Sequence, residues 1–509
     1  MPTRANNGSD GLLFTSGEFL FLYLPITLLV FFATARFVGK GAAAAWLAIA
    51  SLVFYGYWRV EHTLLLVASI AFNYTLGEWI LRAREARPSS AKTLLTVAIA
   101  ANLAALAYFK YADFFLRTVA ETTGQDLPLL GVVLPLGISF FTFTQIAYLV
   151  DVYKGKVVER NPVHYALFVT YFPHLIAGPV LHHAEMMPQF RLAEIYHPRL
   201  RWFAIGLAFL LLGLVKKVLV ADSVAPIANM VFGHDPGTTL AASAAWIGVV
   251  AYTLQIYFDF SGYSDMAVGL SLLIGVRLPY NFNSPYQAWN ITEFWRRWHM
   301  TLSRFLRDYL YVPLGGNRHG RARRYINLML TMLLGGLWHG ASWTFVFWGG
   351  LHGAYLVVNH FWQWLREKLG IGPATGVRGW LGRAAGVALT MLCVMVGWVY
   401  FRATELHTAN GIVASMFGFN DGGARIDSLA GYSEGILPWL VGFSALALFA
   451  RNSQKLIDGS FTRWLDRRAS MPRFGELLAF LVGAMCVGIV LMAVAAASRS
   501  VTEFIYFNF

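Results

Sequence analysis

Two histidines stand where an ionisable side chain is costly, and both suit acid–base chemistry. His339 lies in Gly335-Gly336-Leu337-Trp338-His339-Gly340-Ala341, inside a stretch from Tyr325 to Leu365 that contains no Lys, Arg, Asp or Glu. Ionisable groups at membrane depth are rare, face the protein interior or water, and mark functional sites by default. An imidazole of near-neutral pKa suits removal of a hydroxyl proton in a transfer reaction. The flanking glycines let another backbone or a ligand chain approach closely. A neutral histidine bonding between helices is the bland alternative, but glycines that open space favour chemistry. His352, in Trp348-Gly349-Gly350-Leu351-His352-Gly353, falls about 220° around a continuous helix from His339 and reads as structural unless the chain breaks between them.

His299 is the second candidate, within residues 285–314. Ile291, Phe294, Trp295, Trp298, Leu302, Phe305, Leu306 and Tyr309 share one helical face, with Arg296, Ser303, Arg304 and Arg307 on the other. Asn290 followed by Glu293 has the form of a capping box, so the spacing predicts an interfacial helix starting there, with His299 on its shoulder. From Arg296 to Arg324 there are eight Arg and no Lys against one acid, Asp308. A topogenic loop accounts for them, and the forks of Arg296, Arg297 and Arg304 are also candidates for the phosphates of an acyl donor. Asp259 and Asp265, with Ser261 and Ser264 between them, are further candidates for donor binding or for orienting the histidines. The stronger reading of Phe258 to Asp265 is structural, a turn that interrupts a helix. No Gly-x-Ser-x-Gly elbow is present, which favours direct transfer with histidine as general base over an acyl-serine intermediate.

The elements that must position these residues are membrane helices. The chain has 509 residues, 57% hydrophobic and 13% charged, with mean hydropathy +0.53, against about 25% charged in soluble proteins. This excludes an ordinary soluble enzyme. Apolar stretches long enough to span fall near 17–37, 42–57, 62–80, 92–109, 129–150, 164–181, 201–219, 239–258, 263–277, 325–345, 344–364, 381–401, 435–451 and 475–497. Leu134 to Phe140 and Phe172 to Pro179 carry too much Pro and Gly for lipid-facing helix and are expected to be re-entrant segments inside the protein. The net charge of +13 sits in short loops, including Lys216-Lys217, which points to cytoplasmic loops of a multi-pass membrane protein and not to nucleic acid. Cys393 and Cys486 have no metal-ligand or CxxC spacing and read as packing residues. No metal site and no bound cofactor are expected.

Tyr257 to Ala267, Asn281 to Tyr286, Glu293 to His299 and Gly335 to Ala341, supported by Leu134 to Tyr153, Phe172 to Pro179 and Gly397 to Arg402, resemble the membrane-bound O-acyltransferase family. Within it they look most like the bacterial branch concerned with alginate O-acetylation and teichoic-acid D-alanylation. The resemblance implies an all-α polytopic protein, a ring of tilted helices around a central funnel with re-entrant and interfacial helices. It places His339 as the active-site histidine and His299 as the second one, with Trp338 beside the site. It implies acetyl transfer from a cytoplasmic donor, acetyl-coenzyme A, towards an exported polysaccharide such as alginate, with a periplasmic or extracellular partner that completes the transfer. Cellulose or another envelope glycan, D-alanyl transfer, and a transporter or flippase are the alternatives. The expected organisation is a polar extension at 1–16, the acyltransferase core at 17–402, a surface loop at 403–434 and further membrane helices at 435–509.

Overall fold

The computed structural model describes residues 12–157, 159–234, 239–372, 375–419, 430–497 and 504–505. These residues form helices and connecting segments with no strand. The helices used below are α1 (Glu18–Phe37), α2 (Lys40–Gly56), α3 (Val60–Ala86), α4 (Pro88–Thr123), α5 (Ile138–Tyr153), α6 (Pro162–Thr170), α7 (Leu200–Phe232), α8 (Ala242–Ile274), α9 (Ile291–Arg297), α10 (Met300–Leu306), α11 (Gly320–His339), α12 (Trp343–Lys368), α13 (Gly376–Arg402), α14 (Leu406–Met416), α15 (Ala430–Phe449) and α16 (Phe474–Ala497). Among the described residues six of these, α1, α3, α4, α7, α13 and α16, are long and apolar enough to cross a membrane. The protein is an all-α polytopic membrane protein.

The centre of the molecule is α8, in which every residue from Ala251 to Ser271 is buried. Its polar run was expected to break the helix between 239–258 and 263–277, yet one helix passes through both. The reason lies on the neighbouring α7, where Lys216 and Lys217, expected in a loop, sit within the helix. Lys217 Nζ lies 2.7 Å from Asp259 and 2.9 Å from Asp222, and Lys216 Nζ lies 2.6 Å from Asp265. Carboxylates that would otherwise demand water find ammonium partners one helix away, so the backbone need not open. The two helices approach closely enough because glycines oppose each other. A Cβ on Gly206 would lie 2.8 Å from the Gly269 carbonyl oxygen, and one on Gly213 would lie 2.6 Å from that of Gly262.

Of the two segments expected to be re-entrant, 172–179 is irregular throughout, whereas 134–140 is irregular only as far as Gly137 and enters α5 at Ile138. Tyr171 to Leu181 contain no helix and are entirely buried. This stretch meets the turn before α5, where a Cβ on Gly137 (φ +70°) would lie 3.1 Å from the Leu175 carbonyl oxygen. Tyr171 hydroxyl pairs with Ser271 of α8 at 2.9 Å. The stretch expected as a surface loop at 403–434 contains α14, whose Ala409 and Ile412 are fully buried. Residues 420–429 of that stretch and residues 1–11 of the 1–16 extension lie outside the described residues.

Replacing Lys217 with Met leaves Asp259 and Asp222 buried beside one another. We expect a loss of roughly 3–5 kcal/mol, read as a lower thermal midpoint of the detergent-purified protein, and a smaller loss in a Lys217→Met/Asp259→Leu double variant.

Candidate active site

His339 is the last residue of α11. Gly340 is extended and Ser342 caps α12, its Oγ accepting the Thr344 amide at 3.3 Å. The chain therefore does break between His339 and His352. It folds back tightly because glycine leaves room: a Cβ on Gly336 would lie 2.3 Å from the Phe345 carbonyl oxygen, and one on Gly340 would lie 2.1 Å from the Phe345 ring. The His339 ring is 4% exposed and sits among Trp338, Trp348 and Phe401, with centroids 4.9, 5.1 and 5.2 Å away.

A helix ending inside a membrane protein leaves carbonyls and the negative end of its dipole without water. Lys110, at the π-helical turn of α4, meets them. Its Nζ donates to the Trp338 carbonyl at 2.6 Å, the His339 carbonyl at 3.3 Å and Ser139 Oγ at 3.1 Å, while Tyr111 hydroxyl donates to the Leu337 carbonyl at 2.9 Å. Sequence reasoning passed over Lys110. The cue was available, since Lys110 is the sole charged residue between Lys92 and Asp113, the same signal that singled out His339.

His299 does not lie on a continuous helix. The expected capping box is real in part, with Asn290 Oδ1 accepting the Glu293 amide at 2.9 Å, but the helix stops at Arg297 and His299 adopts a left-handed conformation, φ +42°, before α10 begins. The break is held from outside: the Met300 amide donates to the Asn281 carbonyl at 2.9 Å and the Asn283 amide to the Arg297 carbonyl at 2.9 Å. It turns the ring inward to full burial, edge-on to Phe260 at 4.8 Å. Thr301 Oγ1 accepts the Val180 amide at 2.9 Å and donates to Asn281 Oδ1 at 2.7 Å. The same oxygen lies 3.1 Å from His299 Nδ1, so a neutral His299 carries its proton on Nδ1 and keeps Nε2 basic.

His299, His352 and Lys110 each come within electrostatic range of His339. Stacked indoles join them: Trp348 and Trp398 lie 6.1 Å apart with planes at 14°, and Trp398 is 4.8 Å from Trp298. His352, fully buried, shares Trp348 with His339 at 4.9 Å and accepts the Trp295 indole N–H at Nδ1, 3.3 Å. Gly397 leaves its space, since a Cβ there would lie 2.7 Å from His352 Nε2.

The other candidates divide. Trp338 packs on His339 and offers its carbonyl to Lys110. Arg304 is gripped at both guanidinium ends by Glu185, 2.5 and 2.7 Å, and Arg297 is paired with Glu293, so neither is open to a donor phosphate. Arg296 faces a separate cavity. Asp259 and Asp265 are neutralised by Lys217 and Lys216, and neither contacts a histidine ring directly. Ser264, between them, accepts the Asn281 side-chain amide at 3.4 Å, which ties α8 to the His299 network at one remove.

The model of the membrane-bound O-acyltransferase family matches residues 94–396, a range that contains every histidine of this group. The chain belongs to the membrane-bound O-acyltransferase family. Similar proteins include a peptidoglycan O-acetyltransferase of Helicobacter pylori, 42% identical over 436 residues and 80% of each chain. A probable alginate O-acetylase of Pseudomonas putida is 39% identical over 518 residues, 98% of this chain and 100% of its own. A teichoic acid D-alanyltransferase of Bacillus subtilis is 25% identical over 280 residues, 53% of this chain and 69% of its own. As an acyltransferase of this family, the protein has in His339 a base candidate set by a cap it does not itself supply. Lys110→Met should lower kcat about 10- to 100-fold, the scale of an ångström-level misplacement, with donor KM nearly unchanged. Lys110→Arg, which keeps the charge, should recover part of the loss in the same steady-state assay.

Proposed function

We propose that the protein transfers an acetyl group from a cytoplasmic thioester, acetyl-coenzyme A, to a hydroxyl on the pathway to an exported polysaccharide, with His339 as general base. The observation that carries this reading is the placement of His339: buried, at a glycine-lined break in a helix, and walled by aromatic rings. Its imidazole removes the hydroxyl proton as the oxygen attacks the thioester carbonyl. The tetrahedral oxyanion then collapses, the C–S bond breaks, and the departing thiolate takes up the proton from the imidazolium. His299, with Nε2 as its basic nitrogen, is assigned to the same proton traffic. A funnel that admits donor and acceptor from opposite sides fits the resemblance and the irregular, buried backbone at 171–181.

The names of the relatives support an acetyl group and an envelope glycan. Alginate is the first acceptor choice, with peptidoglycan favoured by the Helicobacter pylori relative and cellulose or another exopolysaccharide after these. D-alanyl transfer has the weaker support of a 25% identical relative. An inner-membrane location and a periplasmic partner that finishes the transfer belong to the same reading. Purified protein given labelled acetyl-coenzyme A should release or transfer label, and His339→Ala should reduce this by at least 10³-fold, the upper range for loss of a general base. Equal activity in His339→Ala, or no turnover in wild type, would falsify the assignment. Mass analysis of glycans from a deletion strain should show loss of acetyl from one polymer, and loss of alanine instead would move the assignment to D-alanyl transfer.

A further inference from the structure

A cavity of about 340 Å³, not lined by His299, His339 or His352, is bordered by Trp289, Asn290, Thr292, Glu293, Arg296, Arg324, His360 and Gln363. It is bounded by α9, the first turns of α11 and the later turns of α12. Its acceptors are largely occupied within the protein. Glu293 receives Arg297 on one oxygen and the Trp289 amide on the other at 3.1 Å. Asn290 Oδ1 takes the Glu293 amide at 2.9 Å, and Thr292 Oγ1 takes the Asn359 side-chain amide at 2.8 Å. His360 Nδ1 takes Arg324 Nη2 at 3.0 Å. Donors are left over. Neither Arg296 nor Arg324 is paired with a carboxylate among the described residues, in contrast to Arg297 and Arg304 on the same segment. Arg383, outside the lining, stacks 4.5 Å over the ring of the lining residue Trp289. Guanidinium forks surrounded by amide and hydroxyl donors match the oxygens of a phosphate.

We propose that this cavity binds a phosphate ester, with Arg296 and Arg324 as its anchoring cations. Two sources share that chemistry: the phosphorylated end of the thioester donor, which rests on the transfer reading above, and the headgroup of an anionic lipid, which does not. The volume exceeds that of a single phosphate and accommodates either.

Purified protein in neutral detergent is titrated with adenosine 3′,5′-bisphosphate by calorimetry. In parallel, phosphatidylglycerol retained from mixed nanodiscs is measured by native mass spectrometry. Binding of the nucleotide assigns the donor source, and selective retention of phosphatidylglycerol assigns the lipid source; either supports the site if Arg296→Gln/Arg324→Gln weakens it at least tenfold. Arg318→Gln/Arg323→Gln removes the same charge from exposed positions of the same segment and should leave affinity within twofold. Arg296→Gln alone, which breaks no internal pair, gives the answer should the double variant not fold. The proposal is overturned if neither probe binds wild type, if the cavity variants bind as wild type does, or if both double variants weaken binding equally. His339→Ala separates this from the transfer reading: it should bind the phosphate probes normally, and full turnover in that variant would sink the base assignment while leaving the cavity untouched.

Discussion

The C-terminus of α11 brings its last carbonyls and the negative end of a helix dipole into the buried interior, and the Lys110 ammonium meets them. An ammonium has three protons, and the Trp338 carbonyl, the His339 carbonyl and Ser139 Oγ account for three contacts. No donor remains for a substrate, so Lys110 acts on the site through the backbone that carries His339. The same contacts join three separate parts of the chain, α4, the first turn of α5 and the end of α11. Orientation of His339 therefore depends on elements more than two hundred residues earlier.

The ion pairs between α7 and α8 solve a different problem. A helix buried on every side from Ala251 to Ser271 can carry two aspartates only if each finds a cation, and adjacent lysines at 216 and 217 reach both because the π-helical turn around them alters the ordinary spacing. Replacing such pairs by apolar residues is often neutral, while removing one partner is not. They read as scaffold, and their link to chemistry is the indirect one from Ser264 through Asn281 to His299.

The three histidines are differentiated by their neighbours. Asn281 and Thr301 fix the proton of neutral His299 on Nδ1, whereas the Trp295 indole, a donor only, directs that of His352 to Nε2. Identical side chains within one aromatic enclosure thus present opposite faces. The motif from Gly397 to Arg402 takes its meaning here: Gly397 makes room for His352, Trp398 bridges the indoles and Phe401 walls His339.

By itself the sequence determined the solvent and the cast of residues. Long apolar runs must lie in a bilayer, a histidine in an uncharged stretch must be accommodated at some expense, and Gly335-Gly336 with Gly340 must allow close approach; each follows from transfer free energy or from the absence of a Cβ. The capping residue Asn290 and the irregular segment at 172–179 were legible for the same local reasons. Only the tertiary structure decided what depended on partners distant in sequence. The Phe258 to Asp265 run looked like a helix break until lysines on α7 satisfied it, and residues 290–309 looked like one helix until contacts from Asn281 and Asn283 broke it at His299. Arg296, Arg297 and Arg304 could not be told apart until Glu293 and Glu185 occupied the latter two. Local propensity is written within a few residues, whereas the pairing of buried charges and orphaned carbonyls is settled by whichever group the fold brings within three ångströms or so, the reach of a hydrogen bond.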